Sequence, residues 1–191
     1  MANLRCIKGV EIKNALKYLT DKFGPDALQK ITEQLEPDDK AVFSKPILTS
    51  TWVPEKTYNN LLASADKIFG KGDYAMCFDI GRHNASEEIK LYSVFIRMGN
   101  PGFLLTIAAS FWNQIHNSGN LIVVEKTPKS VIAHLKDFYE PSSRGNPAGC
   151  YATRGYFHEI FERTGAKNVR VDEAQCAALG APYCVFKCYW T

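Results

Sequence analysis

Three of the six cysteines in this 191-residue chain, Cys150, Cys176 and Cys184, can be brought to one point together with Glu173. A helix from Cys150 to Thr164 runs about 22 Å, and a strand from about Asn168 to Ala174 returns about 23 Å, so the far end of the strand meets the start of the helix. Cys176 and Cys184 flank the loop Ala177-Ala-Leu-Gly-Ala-Pro-Tyr183 and sit near one another across the base of a hairpin. Glu173 shares strand parity with Val169 and Val171 and therefore points toward the face those valines bury. A lone buried carboxylate is expensive, and a metal ion removes that cost. Three thiolates and one carboxylate fit four-coordinate zinc, the softness of sulfur arguing against magnesium or calcium. Cys150, at a helix start, would also ionise more readily. The same residues allow a second arrangement, in which the cysteines are small core hydrophobes and Glu173 turns outward at a twisted strand end.

The other candidate groups carry less. Cys6, Cys77 and Cys188 have no such company and read as buried thiols. His83, His116, His134 and His158 are not clustered, and no acid/base pair can be named from spacing. Gly70-Lys-Gly-Asp-Tyr-Ala75 matches a loose dinucleotide fingerprint but follows a helical pattern rather than a strand, so it reads as a turn between helices. Serine-hydrolase, P-loop and zincin motifs are absent from the sequence.

The elements that must position these residues fall into two textures. Ile12, Ala15, Leu16, Leu19 and Phe23 form a helical stripe closed by Gly24-Pro25. Pro25 starts a second helix through Leu35, Pro54 a third through Phe69, and Asp73 opens a fourth carrying Met76, Ile80 and His83. Glu87 to Met98 continues as helix, Gly99 to Gly102 breaks it, and Phe103 to His116 reads as a buried helix stopped at Gly119. Beyond Gly119, Leu121 to Val124 and Val131 to Leu135 read as a hairpin, Tyr151 to Thr164 as an amphipathic helix, and the runs around Val171 and Phe186 as two strands. The expected fold class is α+β: a helical half, residues 1–119, followed by ββαββ, residues 120–191, forming a four-stranded antiparallel sheet in a single domain.

Composition bounds the function. With 46% hydrophobic and 23% charged residues the chain reads as an ordinary globular protein. A net charge of only +3, with Lys and Arg scattered, argues against direct nucleic-acid binding. The first residues lack an apolar core of the kind a secretory signal needs, and the longest apolar stretch, Phe103 to Trp112, is too short to span a bilayer, so a cytoplasmic location is expected.

The run from Val169 to Trp190, with its C-x(3)-G-x(3)-C signature at Cys176, Gly180 and Cys184, resembles the 4-vinyl reductase domain. That domain is shared with the sensory domains of phenol- and toluene-responsive transcription activators, and the element order also resembles the transport-particle (TRAPP) subunits. The resemblance implies a TRAPP-like fold and a structural zinc site at Cys150, Glu173, Cys176 and Cys184. It also implies a pocket for a small apolar molecule or lipid chain, and a homodimer formed through N-terminal helices. Trp52, Phe95, Phe103, Trp112 and His116 are available to line that pocket, and Leu16, Tyr18 and Leu19 supply apolar surface for the dimer. Three readings follow: a ligand-binding regulatory or sensory domain acting through a separate output partner, a dimeric interaction scaffold of the transport-particle kind, and a tetrapyrrole-pathway protein. A closed zinc site and the lack of a cofactor motif weigh against the enzyme.

Overall fold

Apolar residues at helical spacing, Ile12, Ala15 and Leu19, bury one face of α1 (Gly9–Phe23), and Gly24, at φ 91°, ends it. The computed structural model describes residues 4–96, 101–139 and 144–191, with residues 91–96 as backbone only. Two short helices follow, α2 (Ala27–Glu33) and α3 (Pro37–Phe43), and then α4 (Glu55–Phe69). Strands β1 (Cys6–Lys8) and β2 (Trp52–Pro54) pair antiparallel and bring the start of the chain beside α4. The sequence spacing anticipates neither strand, because three residues are too few for an alternation to register.

The long helix α5 (Ala75–Ile96) is started by a residue from another element. The Asp66 carboxylate accepts hydrogen bonds from the Tyr74 and Met76 amides at 2.9 and 3.0 Å, which satisfies donors that a helix N-terminus leaves open. Next comes α6 (Pro101–Ile115), which the sequence reads as buried. Leu104 and Leu105 are, but Phe103 and Phe111 are half exposed, so the helix lies at the surface with one face inward. Among the described residues no helix is long and apolar enough to cross a membrane.

The C-terminal part builds an antiparallel sheet from β3 (Asn120–Lys126), β4 (Ser130–Lys136), β5 (Arg170–Gln175) and β6 (Cys184–Tyr189), in the order β3-β4-β6-β5. Val131, Ala133 and Leu135 stand opposite Cys188, Phe186 and Cys184, all buried. That face packs on Phe157 and Phe161 of α7 (Ala148–Arg163), each ring contributing about 1.5–3 kcal/mol by burial. The opposite face of α7 lies on α5 at backbone distance. A Cβ on Gly155 would collide with the Phe78 carbonyl, and one on Gly81 with the Ala152 carbonyl. Beside this seam, Glu159 accepts from Arg82 at 2.9 Å and from Arg163 at 2.8 Å. Helix α7 is thus clamped between sheet and helices, and its first turn, holding Cys150, is fixed relative to both.

A candidate metal centre and an interior cavity

The ligating atoms of Cys150, Glu173, Cys176 and Cys184 lie within 4.8 Å of one another. The Cys150 Sγ is 3.3 Å from that of Cys176 and 3.8 Å from that of Cys184. Tetrahedral zinc, with Zn–S of about 2.3 Å, spaces its sulfurs by about 3.8 Å. Each ligand has a local cause. Cys150 is in the first turn of α7, and Cys184 opens β6 on the face that packs against α7. Glu173 stands opposite Phe186 on that same face, immediately before a register shift between Glu173 and Gln175, a bulge of the kind that re-aims side chains beside functional sites. Cys176 and Cys184 bracket a 3₁₀ turn (Ala177–Leu179) closed by Gly180 at φ 102°, and the Ala177 amide donates to the Cys184 Sγ at 3.3 Å.

Burial pushes the Glu173 carboxyl up to about 7 and raises the Cys150 thiol, while hydrogen bonds from the Cys150 and Cys184 thiols hold Cys176 far down. The cluster therefore concentrates negative charge on one sulfur and resists ionising the rest, a conflict that a dication resolves. Sequence reading missed one neighbour: the Tyr139 hydroxyl lies 2.9 Å from the Cys150 Sγ. Cys6, Cys77 and Cys188 are buried outside the cluster.

A cavity of about 580 Å³ opens between α5, α6 and α7 and reaches toward α1 and α4. Leu104, Ile107, Leu121, Phe157 and Ile160 give it an apolar wall. Trp112 and His116 also line it, stacked with ring centroids 3.9 Å apart. Burial lowers His116 to about 3, so its imidazole is neutral at physiological pH, and its Nδ1 has no hydrogen-bond partner. Trp52 and Phe103, also considered as lining residues, stand 41% and 50% exposed and are not in the wall; the Lys8 ammonium covers the Trp52 ring at 4.1 Å. The Phe95 side chain lies outside the described residues.

The cavity is polar in part, which sequence reading did not anticipate. Glu11, Glu55, Asn59, Asn84 and Glu88 all line it. Gly81, Asn84 and Glu88 recur at the spacing of one face of α5, a signal that was available once α7 was known to pack on that face.

Residues 131–188 match the 4-vinyl reductase domain family. The match spans the sheet from β4 onward, α7 and all four clustered ligands. A fission-yeast (Schizosaccharomyces pombe) nucleoporin, nup107, is 32% identical over 89 residues, 46% of this chain. The chain spans about a tenth of that relative's length, 10%. Solved structures similar to the whole chain are H-NOX proteins. That from K. algicida superposes with a TM-score of 0.70 at 16% identity, covering 97% of both chains. That from S. oneidensis gives 0.70 at 10% identity, covering 97% of this chain and 99% of its own. These neighbours correct the TRAPP-like assignment: the α+β chain, with its additional β1-β2 sheet, has the H-NOX fold. Its C-terminal half alone could suggest the other placement, because the ββαββ order is shared and the helical half carries no motif.

Proposed function

We propose that this protein is a small-molecule-binding sensory or regulatory domain whose ligand occupies the interior cavity and whose C-terminal half is tied by a structural zinc ion. The observation that carries the first part is the cavity itself, of about 580 Å³, in the range of small-molecule sites and walled by apolar side chains. A scaffold would gain by filling that space. Cys150, Glu173, Cys176 and Cys184 would hold the zinc, joining α7 to both hairpin strands with no coordination position left for chemistry. Output then passes through a separate protein, with movement of α6 against α7 as the transmitted change.

Heme is the ligand the fold itself raises, since one of the similar structures is a study of heme distortion in the H-NOX family. The cavity offers one imidazole, His116, but among the described residues its lining includes no Lys or Arg to meet propionates and includes Glu11, Glu55 and Glu88 instead. The residues present do not fit heme, and the same carboxylates disfavour other acidic tetrapyrroles.

The test is a fluorescence titration of the full chain with N-phenyl-1-naphthylamine, an apolar dye uncharged at neutral pH. One saturable site per chain is expected, with about 2.7 kcal/mol of added stability at a hundredfold excess over Kd. Ala108→Trp, which fills the cavity from α6, should abolish the signal while the fold persists; unaltered binding would place the dye elsewhere and remove the reading.

The reading also includes a homodimer. Leu19, named as apolar surplus, is fully buried and supplies none of its surface, while Leu16 and Tyr18 pack partly buried against the helical core. Light scattering should give twice 21.4 kDa, and a monomer at high micromolar concentration would exclude it.

A further inference from the structure

The polar residues lining the cavity include buried acceptors without partners. Glu11, 7% exposed, and Glu88 lie within hydrogen-bonding reach of each other, and neither is paired with Lys or Arg among the described residues. Asn84, 1% exposed, donates through Nδ2 to Glu11 Oε2 at 2.6 Å and to the Tyr58 hydroxyl at 3.1 Å, which leaves its Oδ1 without a donor. Glu88 Oε1 is likewise buried without a partner, while Glu88 Oε2 accepts from the Tyr156 hydroxyl. Glu11, Asn84 and Glu88 all line the cavity.

Two carboxyl groups that close cannot both ionise in a desolvated site without a counter-charge. Burial first, and then Glu88, raises Glu11 well above the usual carboxylate range, which favours its protonated form while no cation is present. A purely apolar ligand would leave Asn84 Oδ1 and Glu88 Oε1 orphaned, each costing about 1–3 kcal/mol. An anion would add repulsion. An ammonium group has three N–H donors and no acceptor, the complement of the unpartnered Asn84 Oδ1 and Glu88 Oε1.

We propose that the ligand is an organic ammonium ion: a primary amine seated between Glu11, Glu88 and the Asn84 Oδ1, carrying an aryl or alkyl body that fills the apolar wall of α5, α6 and α7. This rests on the cavity being a ligand site, and the two claims fail differently. On binding, the Glu11 proton leaves to solvent and the ammonium takes its place, so charge balances.

The experiment compares 4-phenylbutylamine, 4-phenylbutanol and 4-phenylbutyrate, which share one body and differ in the head group, by calorimetric titration and melting of the full chain. The amine should bind at least tenfold more tightly than the alcohol, and the acid should bind more weakly than either. Glu88→Gln should bring amine and alcohol within about threefold of each other while N-phenyl-1-naphthylamine binding is unchanged. Glu11→Gln, isosteric with the protonated carboxyl, provides the same test if the first variant does not fold. Equal binding of amine and alcohol by the native chain, or undiminished discrimination in a folded variant, overturns the cation assignment and leaves the cavity reading standing. Binding of neither the dye nor any of the three compounds removes both.

Discussion

Cys184→Ser is expected to release the proposed zinc and unfold the C-terminal half of the protein. Cys184 is fully buried, pairs with Leu135 across β4 and β6, and places its Sγ 3.8 Å from that of Cys150. A structural zinc site contributes an apparent ~10 kcal/mol or more near neutral pH, about as much as the whole stability of an ordinary domain. Serine cannot replace the thiolate, and it leaves Glu173 and Cys176 as uncompensated charges in the same corner. Elemental analysis should show zinc falling from one equivalent to a small fraction, and thermal melting should show loss of the cooperative transition. Cys77→Ser is the control, because Cys77 is buried in the helical core, where its thiol donates to the Leu62 carbonyl at 3.5 Å. It should keep its metal and lose only local packing.

The pH dependence has a definite sign. Thiolates and carboxylate must be deprotonated to bind, so the metal should leave as pH falls, most steeply below the ordinary thiol range. In the metal-free protein burial raises the Glu173 carboxyl to about 7, above its unfolded value. The unfolded chain then binds fewer protons at neutral pH, and this group opposes folding increasingly as pH rises from about 4.5 toward 7. The metal reverses that slope, so chelator should destabilise the protein more at pH 7.5 than at pH 5.

The next largest loss is expected from Gly155→Val. The residue sits on α7 where its missing side chain allows contact with the Phe78 carbonyl, and a side chain there must push α5 and α7 apart. Overpacking costs about 1–3 kcal/mol where neighbours can adjust, and backbone atoms adjust least, so the loss should reach or exceed the upper end of that range. Since the cavity lies along the same pair of helices, dye binding should fall together with the melting temperature. A variant that melts like the native chain would show that the seam is looser than described.

How much of this was legible in the sequence follows from the range of each signal. The hairpin around Pro128, the amphipathic α7 and the alternation through β6 were readable because each writes its own periodicity. The convergence of Cys150 with Cys176 and Cys184 was readable because helix and strand lengths nearly cancel. The position of α6 was not, because an apolar helix reads the same whether it lies within the core or covers a cavity. Nor was the carboxyl pair: Glu11 and Glu88 are 77 residues apart and meet only through the packing of α1 on α5. The fold assignment erred for a related reason, since the motif-bearing segment and the helical part that completes the fold belong to different lengths of chain.

Native mass spectrometry of the full chain, purified without chelator and mixed with N-phenyl-1-naphthylamine, tests the central claim most directly, because it weighs metal and cavity occupant on one molecule. The account predicts one zinc and one dye per chain, with Ala108→Trp losing the dye but not the zinc and Cys184→Ser losing the zinc. A chain that carries neither, or that carries heme, would contradict it.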